Sequence, residues 1–463
     1  MSAEAGTLMR SGEGRSNDRG SGLRRSAPEV GQADWPSPGL AWGWVAALLV
    51  TYVFSFADRQ ILSLLVGPIR ADFRISDTEF SLLTGAAFAI FYTALGLPFG
   101  RLADRVSRRK LVAAGALVWS LMTMLSGFTR SFGQLFAARV GVGVGEAALN
   151  PAAFSMLADL FPPEKRGRAF SVYSLGIYVG AGLAFGIGGL IVGAIASTPT
   201  VTLPFLGETA SWHATFFALG APGLLLPLLL LALPEPARRE RAPAQPSLGE
   251  AWGWMGARWR LLAPFCIGFG LMVLAGFAVL AWAPEFFVRA HGSTPQQAGV
   301  AIGIAMVLAG SVGVLAGGAL ADRLTRAGRT DAVLVVGVIA AWGGLLPGLL
   351  FPLVPSATLA MLLLAAVFFF GAFASGAAPA ALALIAPNEL RGQVSALYLL
   401  AINLIGIGLG PTLPALMTDL VFKDEAQIGL ALAIVGTATA LASALLLQAS
   451  RARFREAATL SGR

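Results

Sequence analysis

The sequence predicts an all-α membrane protein whose chain crosses the bilayer many times. Of its 463 residues, 56% are hydrophobic and only 13% are charged, and its mean hydropathy is +0.73. A soluble domain needs more charged residues than this to cover its surface. The apolar segments are also much longer than the roughly 10-residue alternating segments of a membrane β-barrel. The bilayer is therefore the expected solvent of this chain.

Twelve apolar segments are each long enough to cross a bilayer as a helix, which takes roughly 20 residues. They are predicted at about 40–69, 78–100, 111–129, 132–160, 168–195, 212–233, 261–288, 297–320, 331–353, 357–386, 393–417 and 427–449. The first segment is too long for the apolar core of a signal peptide, so we expect it to remain as span one. The 56 glycines fit close packing between membrane helices.

The positions of the basic residues predict the orientation of these spans. If the N-terminus is cytoplasmic, 26 of the 33 Lys and Arg residues fall on the cytoplasmic side, and five fall in external loops. This distribution predicts that both termini are cytoplasmic in a multi-pass protein of the inner (plasma) membrane. The net charge of +8 is then explained by topology, and we expect no nucleic-acid partner.

Two internal repeats divide the chain into halves. Residues 100–105 (GRLADR) recur at 318–323 as GALADR, and residues 163–167 (PEKRG) recur at 388–392 as NELRG. Both pairs fall in equivalent predicted cytoplasmic loops, which indicates two pseudo-symmetric six-helix halves. The predicted organisation is a disordered cytoplasmic tail at 1–38, a six-helix bundle at 39–233, a linker at 234–259, a second bundle at 260–450 and a cytoplasmic tail at 451–463.

Four charged residues are predicted inside the membrane: Asp58 and Arg59 in span one, and Arg139 and Glu146 in span four. Such charges are costly, and by default they mark a functional site. Arg139 and Glu146 share a helical face, about 10 Å apart along the axis. Because a nearby arginine favours an ionised carboxylate, a moving arginine can switch whether that carboxyl holds a proton. We therefore predict proton coupling through these four residues, although a static salt-bridge cluster that joins the two helices is the structural alternative.

Within this group, the two carboxyls are expected to differ in role. Glu146 lies between Gly145 and Ala147 with little else polar nearby, so it is the stronger candidate for the proton carrier. Asp58, next to Arg59 in the chain, is the stronger candidate for an arginine partner.

The remaining wall of the cavity is predicted to be rich in phenylalanine. The candidate lining residues are Asn150, Phe269, Phe369, Phe373 and Asn403. A cavity with a charged end and an apolar remainder suits an amphipathic molecule with an anionic or zwitterionic head. Phenylalanine stripes that face lipid or a neighbouring helix are the alternative interpretation.

The run at 100–110 (GRLADRVSRRK) resembles the signature loop between helices two and three of the major facilitator superfamily, and 318–323 resembles its degenerate second copy. The resemblance covers all twelve spans and implies the major facilitator fold. A narrower resemblance to the spinster-like branch rests on residues 58–63, 139–147 and 403–411. Spinster-like proteins are lipid transporters in animals, and the branch implies proton coupling through the same four charged residues, with protons as the coupling ion and no other cofactor.

The resemblance also implies a cytoplasmic gate around Asp104. A carboxylate at the end of a span can accept hydrogen bonds from a neighbouring helix N-terminus or an arginine, and in this superfamily such contacts latch the cytoplasmic side of the outward-open state. The predicted gate residues are Gly100, Asp104, Arg105, Arg108, Asp159, Arg166, Asp322 and Arg323. Charges that serve only to set the topology are the alternative.

These observations predict a monomeric, proton-coupled secondary active transporter that moves an amphipathic or lipid-like small molecule by alternating access. Its expected partners are that substrate and membrane lipids. A proton-coupled symporter of small organic anions, a drug-exporting proton antiporter and a non-transporting membrane receptor remain as alternatives. No enzyme or metal site is expected, because Cys266 is the only cysteine, and His213 and His291 lie far apart without ligand-like neighbours.

Overall fold

The computed structural model describes residues 35–195, 200–203, 207–239, 247–387 and 389–461. Most of the predicted N-terminal tail, residues 1–34, lies outside the described residues. The first part of the described chain forms ten helices and a small antiparallel hairpin. They are α1 (Pro38–Leu64), α2 (Val66–Phe73), α3 (Asp77–Thr84), α4 (Ala86–Arg105), α5 (Arg108–Ser126), α6 (Phe132–Glu146), α7 (Leu149–Leu160), α8 (Pro163–Ile195), β1 (Thr200–Leu203), β2 (Gly207–Ala210), α9 (Trp212–Gly223) and α10 (Leu226–Ala232).

The second part of the described chain forms ten further helices. They are α11 (Leu248–Ala257), α12 (Trp259–His291), α13 (Pro295–Ala305), α14 (Ser311–Arg326), α15 (Ala332–Leu350), α16 (Ala357–Phe373), α17 (Ala377–Ile385), α18 (Arg391–Asn403), α19 (Thr412–Leu416) and α20 (Ile428–Ser461). Three π-helical segments, Met306–Gly310, Leu404–Gly408 and Met417–Phe422, continue α13, α18 and α19, and a 3-10 turn at Glu425–Gln427 precedes α20. Helix α11 lies within the predicted linker, and α20 continues without a break through most of the predicted C-terminal tail.

Ten helical segments of the described chain are long and apolar enough to cross a membrane. Two of the twelve predicted spans, three and four, are not among them. Span three corresponds to α5, which starts with the basic run Arg108–Lys110. Span four is divided into α6 and α7 at Ala147 and Ala148, and neither piece is long enough to cross a bilayer alone.

The helices place their connections at two opposite faces of the bundle. One face, which we call the terminal face, holds the start of α1, the end of α20 and the connections α4–α5, α7–α8, α10–α11, α14–α15 and α17–α18. The opposite face, which holds the α2–α3, α5–α6, α8–α9, α12–α13 and α15–α16 connections and residues 423–427, is the distal face.

The apolar core joins the two halves at the distal face. One cluster of buried residues runs through the N-terminal half, for example Trp44, Trp119 and Phe185, and continues into the C-terminal half through Trp282 and Phe286. A second cluster, which includes Phe265 and Phe454, is confined to the C-terminal half near the terminal face. The halves are thus packed into one continuous core only toward the distal side.

Small residues permit the closest contact between the halves, where α8 crosses α13. A Cβ atom placed on Gly303 would lie 2.4 Å from the carbonyl oxygen of Gly182, and one on Gly299 would lie 2.7 Å from that of Phe185. The two backbones therefore touch directly, which is the use that membrane helices make of glycine.

Candidate functional site

An ion pair between Arg59 of α1 and Glu146 of α6 lies at the centre of the N-terminal half. Glu146 is 1% exposed, and its Oε2 atom lies 2.6 Å from the Arg59 Nε and 2.5 Å from its Nη2. The Ser55 hydroxyl, one turn before Arg59, donates to the same oxygen at 2.6 Å. Oε1 of Glu146 has no hydrogen-bond partner among the described residues. The carboxylate is therefore bound tightly through one oxygen, while the other is buried without a partner among the described residues.

Aromatic rings enclose the guanidinium of Arg59. Its Cζ atom lies 4.3 Å from the centre of the Phe88 ring, 4.8 Å from Tyr92 and 5.2 Å from Phe56. Cation–π attraction compensates in part for the water that this buried cation has lost. The arginine is therefore stabilised from several sides, and no second carboxylate of the described residues is in contact with it.

Arg139 and Asp58 form the other half of the charged group, but they are not in contact. Arg139 is 1% exposed, and its Nε and Nη1 atoms have no hydrogen-bond partner among the described residues. Asp58 is 3% exposed and has no ion pair within 4.0 Å with any described residue. The structure thus corrects one prediction: in this conformation Glu146 is the arginine partner, and Asp58 is the carboxyl without one.

A small cavity lies between the two halves beside these charges, and its two walls differ in chemistry. The N-terminal half contributes mainly polar side chains, and the C-terminal half contributes apolar ones. The lining residues are Arg59, Gln60, Ser63, Thr84, Phe88 and Arg139 on one side and Phe277, Leu280, Ala281, Ile407 and Pro411 on the other. Arg139, whose Nε and Nη1 atoms are buried and have no hydrogen-bond partner among the described residues, is one of the lining residues.

The predicted cavity-lining residues do not coincide with this wall. Phe269 is 3% exposed and packs inside the C-terminal half, with its ring 5.0 Å from Phe265 and against Gly337 of α15. Span seven presents Phe277 to the cavity instead, because Phe269 and Phe277 lie eight residues apart, about 80° around the helix.

Asn150 lies deeper in the N-terminal half. It donates to the Tyr92 hydroxyl at 2.9 Å and accepts from the Tyr173 hydroxyl at 2.8 Å, so it ties α7 to α4 and α8. The rings of Phe369 and Phe373 lie 5.7 Å apart and are tilted by 42° to each other on α16, whose backbone touches α14 at Gly313 and Gly317. Asn403 is half-buried at the end of α18. Their contribution to a cavity remains a prediction.

A network of charges closes the distal face. Asp77 is fully buried at the start of α3, and Arg289 of α12 donates to both of its carboxylate oxygens at 2.8 Å. Arg70 lies 2.9 Å from Asp77 and also pairs with Glu425. Thr418 donates to Asp77 at 3.1 Å. The ion pairs between described residues of the two halves all lie in this network.

A capping box fixes Asp77 in this position. The hydroxyl of Ser76 accepts the backbone N–H of Glu79 at 3.1 Å, and the Glu79 carboxylate accepts the N–H of Ser76 at 2.8 Å. This arrangement defines the first turn of α3 and places Asp77 at its first position.

At the terminal face, the predicted gate residues fall into two groups. Arg108 is fully buried and pairs with Asp159, and its Nη1 donates to Ser155 at 3.0 Å. This cluster lies within the N-terminal half. Arg166 donates to the carbonyl of Phe161 at 2.9 Å.

The second group of predicted gate residues is exposed and has no ion pair with another described residue. It consists of Asp104, Arg105, Asp322 and Arg323. Gly100 lies half-buried against Pro151.

Glu235, at the start of the linker, completes the Arg108 cluster. Its Oε1 accepts the backbone N–H of Arg108, and its Oε2 accepts that of Arg109, each at 3.0 Å. Burial opposes ionisation of this carboxyl, but the hydrogen bonds from Ser107 and these N–H groups, together with the Arg108 charge, lower its pKa. The linker is thereby attached to the loop between α4 and α5.

Sequence reasoning missed several of these groups. Ser55, one turn from Arg59, was not considered as a partner of Glu146, although its position on the same helical face was available. Arg70 and Arg289 are two of the five basic residues that the sequence places in external loops, where they were used only to predict the orientation of the spans. Asp77 was not considered as a functional residue. The Ser-x-x-Glu pattern at 76–79 could have drawn attention to the buried start of α3. No sequence signal reports that Asp77 and Arg289, 212 residues apart, meet.

Comparison with known proteins agrees with this architecture. The model of the family described as "Major Facilitator Superfamily" matches residues 48–411. An "MFS-type efflux pump" from Mycolicibacterium smegmatis is 30% identical, over 93% of this chain and 97% of its own length. "Protein spinster homolog 1" of Bos taurus is 30% identical over 61% of this chain, but the match spans only about half (54%) of that protein.

Solved structures show the same fold. A bacterial homologue of the human lysosomal transporter Spinster, in an inward-facing and unoccupied conformation, superimposes with a TM-score of 0.74 at 25% identity, covering 91% of this chain and 98% of the other. Its inward-facing, occupied form gives a TM-score of 0.71. Since the family match covers most of the chain and a relative 30% identical extends over nearly all of it, the chain belongs to the major facilitator superfamily of membrane transporters.

Proposed function

We propose that this protein is a proton-coupled secondary transporter that moves an amphipathic molecule across the membrane by alternating access. The proposal includes twelve spans, with α5 as span three and α6 plus α7 as span four, and both termini in the cytoplasm. The distal face is then external. The ion network of the distal face and the continuous core behind it separate the cavity from the external side. This closure is the one expected of an inward-facing state.

The division of the cavity into two walls is the observation that carries the substrate class. An amphipathic molecule needs a polar surface for its head and an apolar surface for its tail. Arg139 and Arg59 are on one wall, and Phe277, Leu280 and Ile407 are on the other. Arg139 on the polar wall suits an anionic head, such as a phosphate or carboxylate, because a guanidinium binds such groups through paired hydrogen bonds.

Proton coupling is supported by the unequal pairing of the two carboxyls. Glu146 has an arginine partner, and Asp58 has none within contact among the described residues. Exchange of Arg59 or Arg139 between these carboxyls would leave a different one unpaired in each conformation, and an unpaired buried carboxyl favours its protonated form. Movement of an arginine thus couples proton uptake to the change of conformation.

Substrate-evoked proton movement in proteoliposomes with an internal pH dye tests this proposal. Lysophospholipids, sphingoid bases, lipophilic cationic drugs and small sugar acids would be added in turn to the wild type, Glu146→Gln and Glu285→Gln. The expected result is proton movement with an amphipathic class, lost in Glu146→Gln. It should persist in Glu285→Gln, because the Arg289–Asp77 pair remains. Proton movement only with sugar acids would favour the organic-anion symporter, and binding without any proton movement would remove support for proton coupling.

Export of drug-like molecules is the second candidate function, because a relative that matches almost the whole length of the chain is named an efflux pump. The two carboxyls in the charged group would suit a cationic substrate. In the same experiment, proton movement evoked by lipophilic cations but not by lysophospholipids would favour this candidate.

A further inference from the structure

Helix α11 places an unusual combination of side chains at the terminal face. Trp252 is 67% exposed and Trp259, at the start of α12, is 61% exposed, which makes them the two most exposed tryptophans among the described residues. Arg258 lies over the Trp254 ring at 4.6 Å, and Arg260 lies near the Trp259 ring at 5.8 Å. We call Trp252, Trp254, Arg258, Trp259, Arg260 and Arg453 the Trp–Arg surface.

The rest of the protein holds this surface in a fixed position. Ala251 is fully buried in the apolar cluster of the C-terminal half, and Trp254 and Met255 pack partly against the same cluster. Arg453 of α20 donates to the carbonyl oxygen of Arg260 at 2.9 Å, which ties the last helix to the start of α12. The face of α11 that carries Trp252 points away from the bundle, and the other described residues cover little of it.

The length of α12 places the surface at the level of lipid headgroups. Its 33 residues extend for about 50 Å, whereas the hydrocarbon core is about 30 Å thick. Its first turn therefore projects into the headgroup layer. Helix α11, with 10 residues, is too short to cross the membrane, so it lies along this boundary.

The chemistry of the surface fits anionic phospholipid. Tryptophan prefers the membrane interface, where its ring meets acyl chains and its N–H meets water. The three arginines are exposed and can bind phosphate oxygens, and Glu250, which is held by Ser247 at the first turn of α11, is the acid nearest to them along the helix. We propose that the Trp–Arg surface binds the headgroups of anionic phospholipids in the leaflet at the terminal face. This role is independent of the transported substrate.

Fluorescence quenching by brominated lipids tests the proposal. Full-length protein would be placed in phosphatidylcholine nanodiscs that contain increasing fractions of bromine-labelled phosphatidylglycerol, with bromine-labelled phosphatidylcholine as the reference. We expect half-maximal quenching at a lower fraction of phosphatidylglycerol than of phosphatidylcholine. Replacing Trp252 and Trp259 by phenylalanine should remove this excess quenching. Trp342→Phe, which removes an exposed tryptophan on α15, should retain it.

The arginine variants separate specific binding from topogenic charge. Arg258→Gln and Arg260→Gln should each weaken the preference for phosphatidylglycerol about fivefold, because one guanidinium near an anionic surface contributes that much. The Arg258→Lys variant should retain most of the preference for phosphatidylglycerol, and thermal melts would confirm that each variant is folded. Equal quenching by the two lipids, or a preference that the arginine variants do not change, would overturn the proposal. A preference that appears only after residues 1–34 are removed would also overturn it, because those residues would then be what occupies the surface in the full-length protein.

Discussion

The two halves of the protein differ most where they meet at the cavity. The N-terminal half brings two arginines and two carboxyls into its interior, three of them nearly without exposure to solvent. The C-terminal half faces them with Phe277, Leu280 and other apolar side chains. The halves share a fold but not a role: the N-terminal half holds the charges, and the C-terminal half provides an apolar wall.

The backbones differ in the same way. All three π-helical segments of the described chain lie in the C-terminal half. The segment Leu404–Gly408 presses against the junction of α3 and α4, where a Cβ atom on Gly85 would lie 2.9 Å from the carbonyl oxygen of Gly408. Local π-helical turns are frequent at functional sites. The half without the four central charges therefore contains all of the π-helical turns of the described chain, one of them at the contact between the halves.

Removal of both members of the Arg59–Glu146 pair should have the largest effect. Arg59→Gln or Glu146→Gln alone leaves a buried unpaired charge, which costs about 3–5 kcal/mol of stability. The double variant removes both charges of this pair, so its melting temperature should return most of the way to that of the wild type. Substrate-evoked proton movement should be absent from all three variants, because the coupling charges are gone.

The same pair of measurements separates coupling from a static salt bridge. Melting temperature and proton movement would be recorded on the same preparations. Recovery of transport together with stability in the double variant would show that the pair only joins α1 to α6, and the division between a charged and an apolar half would lose its functional meaning.

Asp77→Asn should shift the protein toward a state that is open at the distal face. The change removes a carboxylate held by Arg289, Arg70 and Thr418, and coupling energies between conformational states are typically about 1–3 kcal/mol, or 5–150-fold in population. Spin labels at Arg130→Cys and Ala357→Cys, in a Cys266→Ala background, would report the distance between the halves at this face. Glu79→Gln, on the same helix but with its carboxylate on Ser76, should leave that distance unchanged.

Much of the fold could be predicted from the sequence, because apolar length and basic loops directly report on the bilayer. The family, the membrane location and the repeat of halves followed from these features, and the family and the location are confirmed by the comparisons. Span four shows the limit of this reasoning: apolar length predicts one continuous span at 132–160, but it does not predict the break at Ala147 and Ala148 that divides this span into α6 and α7. The predicted domain boundaries and the count of twelve spans stay predictions.

The candidate site was predicted only in part, because composition identifies buried charges but not their partners. The four intramembrane charges do lie together, yet which carboxyl faces which arginine depends on the rotation of α1 relative to α6. Periodicity along a single helix does not determine that rotation. The same reason explains why Phe269 lies in the core and Phe277 lines the cavity.

Phe277→Ala compared with Phe269→Ala should sharpen the assignment of the apolar wall. Phe277 faces the cavity, so its loss should raise the KM for an amphipathic substrate by about tenfold, as expected for the loss of 1–3 kcal/mol of apolar contact. Phe269 is enclosed by the C-terminal half, so its loss should lower the free energy of unfolding by about 3–5 kcal/mol and leave the KM unchanged. Transport kinetics and thermal melts would be measured on both. The reverse pattern would place the cavity on the side of α12 that carries Phe269.

Removal of the carboxylates Asp331 and Glu235, which pair with arginines at the terminal face, should have the smallest effect on stability, and this effect should depend on pH. Asp331 lies within 4.0 Å of Arg329, Arg451 and Arg455. Burial opposes its ionisation, but hydrogen bonds from Arg329 and Arg451 outweigh this and lower its pKa, as the corresponding contacts do for Glu235. A carboxyl with a lowered pKa stabilises the fold above its unfolded pKa, about 4, and this contribution is lost as the pH falls through the folded value.

Asp331→Asn and Glu235→Gln should therefore lower the melting temperature at pH 7, by an amount that corresponds to about 1 kcal/mol for Glu235. The effect of Asp331→Asn should be larger, because its side chain is 1% exposed, whereas that of Glu235 is 30% exposed. Both differences from the wild type should shrink as the pH is lowered from about 5 to below 4. Glu456→Gln, at an exposed position of α20, serves as the control. A difference that does not change with pH would mean that packing rather than charge stabilises these clusters, in the C-terminal half as well as in the N-terminal half.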